Sequence, residues 1–66
     1  MQKKIIKLTN TENETILIGV GSIIEIKSKY RDDMMRDVSI IRSLGAMITT
    51  NYVIESIEEI YNLINN

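Results

Sequence analysis

A chain of 66 residues with 44% hydrophobic and 26% charged residues and a formal net charge of −1 has the composition of one folded domain spanning residues 1–66. It holds no Cys and no His, which excludes disulfide staples, thiolate or imidazole metal sites, and nucleophile–base pairs built on those side chains. A domain of this size hides only ~60% of the surface its unfolded form exposes, so self-association is the expected supplement to a thin core.

Lys3 to Thr9 reads as a first strand, with Ile6 and Leu8 on one face and Ile5 and Lys7 on the other. Asn10 to Asn13 is a turn. Thr11 and Glu14 have capping-box spacing, but the apolar run that follows is short and β-branched, so a second strand from Glu14 to Ile18 is expected instead. Gly19, Val20, Gly21 and Ser22 interrupt it, the glycines supplying positive φ or close backbone approach, and a third strand covers Ile23 to Lys27. Tyr30 to Arg36 reads as a charged loop. From Asp37 to Ser43 the alternation of Val38 and Ile40 against Ser39 and Ile41 indicates a fourth strand. The rival is a helix from Asp33 to Leu44, with Met34, Val38, Ile41 and Leu44 on one face and Gly45 as its C-cap. The strand is preferred because Met47 to Ile54, rich in β-branched and aromatic residues, needs a hairpin partner across Leu44 to Ala46.

The chain ends in a well-signalled helix. Ser56 and Glu59 form a capping box, Glu58 and Glu59 place negative charge at the positive end of the helix dipole, and Ile57, Ile60, Tyr61 and Ile64 recur on one side with Leu63 beside them. The fold expected is α+β: a small antiparallel sheet of about five strands with one C-terminal helix packed on it. Ile5 opposes Ile6, Leu17 opposes Ile16 and Ile18, and Ile23 opposes Ile24. One helix cannot cover both sets, so either the sheet curls into a partial barrel or, as preferred here, the uncovered set is a contact surface of a homo-oligomer.

Chemistry has few footholds. Asp32 with Asp33 in a loop and Glu58 with Glu59 in a helix first turn are explained by solvation and capping, so no enzyme, metal or cofactor is expected. Gly19 and Gly21 lack the third glycine and the following helix of a nucleotide-binding loop. Asn13 to Thr15 matches a glycosylation acceptor, but the first residues show no signal-peptide pattern, and no membrane-spanning run is present; a cytoplasmic protein is the simplest expectation. The informative cluster is Lys27, Lys29, Tyr30, Arg31 and Arg36, with Arg42 on the adjoining strand and Met34 and Met35 beside them. Arg grips phosphates bidentately, Tyr offers a stacking face, and Met adapts to a protein surface, so the cluster suits a protein partner or a small anionic ligand. Nucleic acid is an unlikely partner for a chain of net negative charge with one basic region.

Ile6 to Thr9, Ile23 to Ile26, Asp37 to Ile40, Gly45 and the closing Val53 to Ile60 together resemble the small FlbD-like family. The resemblance spans nearly the whole chain and implies a short β-rich protein ending in one helix, of the kind associated with flagellar, swarming and phage genes and without an established enzymatic activity. Against that pattern this chain has a longer excursion from Lys27 to Arg36 and extra residues between Gly45 and Glu55. The strand-to-helix ending is also similar to a portion of LytTR-type DNA-binding domains. The expected function is a non-catalytic, homo-oligomeric binding protein acting through protein contacts at the Ser22 to Lys27 edge and the Tyr30 to Arg36 loop. The alternative is an oligomer that sequesters a phosphate-bearing signalling molecule, as a phage counter-defence protein would.

Overall fold

The computed structural model describes residues 4–66, so the expected first position of the first strand, Lys3, lies outside the described residues. Five strands and one helix follow in order: β1 (Ile5–Thr9), β2 (Thr15–Gly19), a 3-10 turn (Val20–Ser22), β3 (Ile23–Arg31), β4 (Arg36–Leu44), β5 (Ile48–Val53) and α1 (Ile57–Asn65). The class is α+β. The strands form two antiparallel sheets rather than one: a β1–β2 hairpin and a three-stranded sheet in the order β3–β4–β5. The break falls at the 3-10 turn, where the chain leaves the hairpin before pairing again.

Period-2 alternation sets the core. Ile6 faces Ile18 and Leu8 faces Ile16 across the hairpin, so one hairpin face is aliphatic. It packs with Ile41 and Val53 from the three-stranded sheet and Ile60 from α1, with Ile16, Val20, Ile23, Ile26 and Ile64 around them. Burying each full aliphatic side chain contributes roughly 1.5–3 kcal/mol. Ile23 and Ile26 both reach this core although they are an odd three positions apart, because the β3–β4 register shifts between Ile23 and Glu25 and turns Ile24 outward.

The expected fourth strand forms, as β4, and the rival helix from Asp33 to Leu44 does not: β4 is hydrogen-bonded on both sides, to β3 and to β5, and its ladders satisfy the backbone groups a helix would have bonded internally. Other expectations are corrected. The charged loop shrinks to Asp32–Met35, since β3 runs on to Arg31 and β4 begins at Arg36. The glycines supply no positive φ, and a Cβ at Gly21 or Gly45 would meet nothing within 4 Å. Left-handed backbone falls instead on Asn13 (φ 65°) and Met35 (φ 51°). On α1 the buried side is narrower than the repeat implied: Ile60 is buried and Ile64 half-buried, while Ile57, Tyr61 and Leu63 are exposed. A partial barrel burying both apolar sets is not what forms, because Ile5, Leu17 and Ile24 lie on the surface.

Polar bonds join the layers. The Thr9 amide donates to both Glu55 carboxylate oxygens (2.9 and 3.0 Å), the Ile54 amide donates to the Thr9 carbonyl (2.9 Å), and the Ser39 hydroxyl donates to the Glu55 carbonyl (2.6 Å). With the bridge between Asn10 and Val53, they tie the turn end of the hairpin to the end of β5. The capping box at Ser56 and Glu59 is complete, with the Glu59 amide donating to the Ser56 hydroxyl (3.1 Å) and the Ser56 amide to the Glu59 carboxylate (3.0 Å). At the far end of α1, Lys4 Nζ donates to the carbonyls of Ile64 (2.8 Å) and Asn66 (2.7 Å), placing a cation at the negative end of the helix dipole.

Candidate functional site

The strand register gathers the candidate residues on one surface. Across β3 and β4, Glu25 pairs with Arg42, Lys27 with Ile40, Lys29 with Val38 and Arg31 with Arg36. Across β4 and β5, Ile40 pairs with Tyr52, Arg42 with Thr50 and Leu44 with Ile48. Paired residues share a face, so these side chains lie on the side of the three-stranded sheet away from the hairpin and helix. Five of the chain's 8 Lys and Arg residues stand there, with Glu25 the acidic residue in the same register. Tyr30 is not among them: it pairs with Asp37 on the opposite face, near the tip of the β3–β4 arm, where it is exposed. Lys27, Tyr30, Arg31, Arg36 and Arg42 are thus strand residues, and only Met34 and Met35 belong to the turn.

Most of the cations are already engaged. Arg31 makes two bonds to Asp33, Nε to Oδ1 at 3.0 Å and Nη2 to Oδ2 at 2.6 Å. The hydrogen bond from Arg31 holds the Asp33 carboxyl below its ordinary range, and the same bond with its charge raises the Arg31 guanidinium. The guanidinium lies 6.0 Å from the centroid of the Tyr52 ring, at the outer limit of a cation–π contact. Arg42 Nη1 donates to Glu25 Oε1 at 3.1 Å, Lys27 Nζ stands 3.8 Å from the same oxygen, and Arg36 Nη2 donates to the Ile54 carbonyl at 3.2 Å. Among the described residues, Lys29 and Arg36 have no carboxylate within ion-pair distance.

The arrangement is a charged surface with an apolar stripe through it. Val38, at the row shared with Lys29, is only 1% exposed. The surface of β4 and β5 beyond it carries half-buried Ile40 with Tyr52, then exposed Leu44 and Ile48. At the tip, the Met34 amide donates to the Arg31 carbonyl and the Met35 amide to the Asp32 carbonyl, both at 3.2 Å, and Met35 is 80% exposed. Among the described residues no cluster of three or more acidic side chains has metal-binding geometry, and no helix is long and apolar enough to cross a membrane. Tyr52 and Thr50 belong to this surface and were not distinguishable beforehand, since their membership follows from the β4–β5 register, while Glu25 falls within the expected Ser22 to Lys27 edge.

Comparison with protein-family models, curated proteins and solved structures finds no match for this chain.

Proposed function

We propose that this chain is a non-catalytic binding protein that works as a homo-oligomer through protein–protein contacts, as a small accessory or regulatory factor in the cytoplasm. One observation carries the reading. Among the described residues seven hydrophobic ones are buried, whereas twelve large ones are exposed: Ile5, Leu17, Ile24, Tyr30, Met35, Leu44, Met47, Ile48, Tyr52, Ile57, Tyr61 and Leu63. Scattered exposed apolar residues are ordinary, but more large ones exposed than buried favours surfaces that are covered by a partner. The FlbD-like resemblance supports the accessory role. Light scattering across a hundredfold concentration range tests the oligomer: a mass that stays a multiple of the 7.6 kDa chain supports it, and a monomer throughout removes it.

A second reading, capture of a phosphate-bearing small ligand by the oligomer, is favoured by the five cations on one sheet face and by Lys29 and Arg36 lacking carboxylate partners among the described residues. Salt separates the two. Phosphate capture weakens steeply as ionic strength rises, whereas apolar contacts do not.

A further inference from the structure

We propose that two copies of this chain pair through the outer edge of β3, antiparallel and centred on Ser28, to make one six-stranded sheet. The proposal rests on the homo-oligomeric reading above and names its interface.

Three features point to this edge. The strand order places β3 at the end of its sheet, so every second amide and carbonyl along it points away from β4 without a strand partner among the described residues. Beyond Ser39, which faces Val53, β5 offers no further partner, so the rows from Lys29–Val38 to Arg31–Arg36 form a two-stranded ribbon. Such ribbons are marginal in water, and added strands remedy that. Finally, Lys27, Ser28, Lys29 and Tyr30 are all exposed, with Tyr30 at 54%.

The register follows from where the strand is regular. The shift at Ile24 bounds it on one side and the turn at Asp32 on the other, leaving Glu25–Arg31. A two-fold axis perpendicular to the sheet pairs all seven of these residues only when it passes through the middle one, Ser28. Tyr30 then lies against Ile26 of the second copy, an aromatic on a β-branched residue, twice over. Glu25 lies against Arg31 of the second copy, opposite charges, also twice. Lys27 against Lys29 of the second copy is the one unfavourable kind of row, also made twice, relieved by the Glu25 carboxylate 3.8 Å from Lys27. These lysines stand on the open sheet face, so they do not plug the edge itself.

The chain has no cysteine, which allows a direct test with Ser28→Cys, Lys27→Cys and Lys29→Cys. Residues directly opposite across antiparallel strands fall within disulfide reach, about 4.5–5.5 Å between Cα atoms, while diagonal ones do not. Under mild oxidation at low concentration, Ser28→Cys is expected to form the covalent dimer at least severalfold faster than the other two. In addition, Lys29→Glu turns both unfavourable rows into opposite-charge pairs and is expected to tighten the dimer roughly tenfold or more. Faster cross-linking at 27 or 29, equal rates at all three, or a Lys29→Glu dimer no tighter than the unsubstituted one overturns the interface. If the unsubstituted chain remains an oligomer while Ser28→Cys fails to cross-link, only this interface falls; if it is a monomer, the homo-oligomeric reading falls with it.

Discussion

At Met35 a flexible apolar side chain sits in the left-handed region, φ 51°, on a turn where it is 80% exposed. That conformation costs a non-glycine L-residue about 1–2 kcal/mol, against which glycine's greater unfolded freedom returns about 0.5–1 kcal/mol. Met35→Gly is therefore expected to raise stability by about 0.5–1 kcal/mol, a melting temperature a few degrees higher for a domain of this size. An unchanged or lower value would show that Met35 makes contacts worth as much as its backbone strain. The contrast with Asn13 explains what was legible at this scale. Asn13 adopts φ 65° within a run of turn-forming residues where Asn10 Oδ1 accepts from the amides of Glu12 and Glu14, so the turn was visible from its side chains. Nothing in Met34 or Met35 announces a turn. Ser56 and Glu59 were legible for the opposite reason: a capping box is a local bond, readable from four consecutive residues.

Between elements the decisive contacts are long-range. The β1–β2 hairpin shares no continuous ladder with the other sheet, so apart from the apolar core its attachment depends on the few bonds around Thr9, Val53 and Glu55. Glu55 is the centre of that group, accepting from Thr9 through its carboxylate and from Ser39 through its carbonyl. Glu55→Gln keeps the side-chain length but replaces one acceptor oxygen with an NH2 that confronts the Thr9 amide. A loss of about 1–2 kcal/mol is expected in denaturant unfolding, with Glu58→Gln on the exposed side of α1 as the near-neutral control. If the two variants unfold together, the clamp contributes nothing and the core alone holds the hairpin. The strands themselves were legible through their alternation, but the clamp was not, because Glu55 lies 46 positions from Thr9. The division into two sheets was equally hidden: it depends on how the 3-10 turn at Val20–Ser22 redirects the chain, and three residues of ambiguous propensity carry no direction. Strand alternation in register across the turn at Asp32–Met35 then decides which of the basic side chains share a face, and because β3 runs on to Arg31 and β4 begins at Arg36, a charged sheet surface exists where a loop was expected.

For the whole molecule, the apolar surface left outside so small a core would couple folding to association in the proposed oligomer. If the folded chain is held in an oligomer, unfolding separates the copies, and mass action requires stability to rise with protein concentration. For a dimer, each tenfold increase in concentration adds about 1.4 kcal/mol, enough to raise the melting temperature by several degrees. A monomer held by Ile41, Val53 and Ile60 alone unfolds at the same temperature at every concentration. Calorimetry at two concentrations tenfold apart therefore asks whether association contributes to the stability of the fold, a question that mass measurement at room temperature does not reach. Salt gives the comparison a second axis. Paired β3 edges would join copies through backbone bonds, with Ile26 against Tyr30 and unlike charges at Glu25 and Arg31, while Lys27 and Lys29 oppose them. Since salt screens both the attractive and the repulsive rows, the concentration dependence should survive at high ionic strength. Its disappearance there would mean that charge, not backbone pairing and apolar burial, holds the copies together.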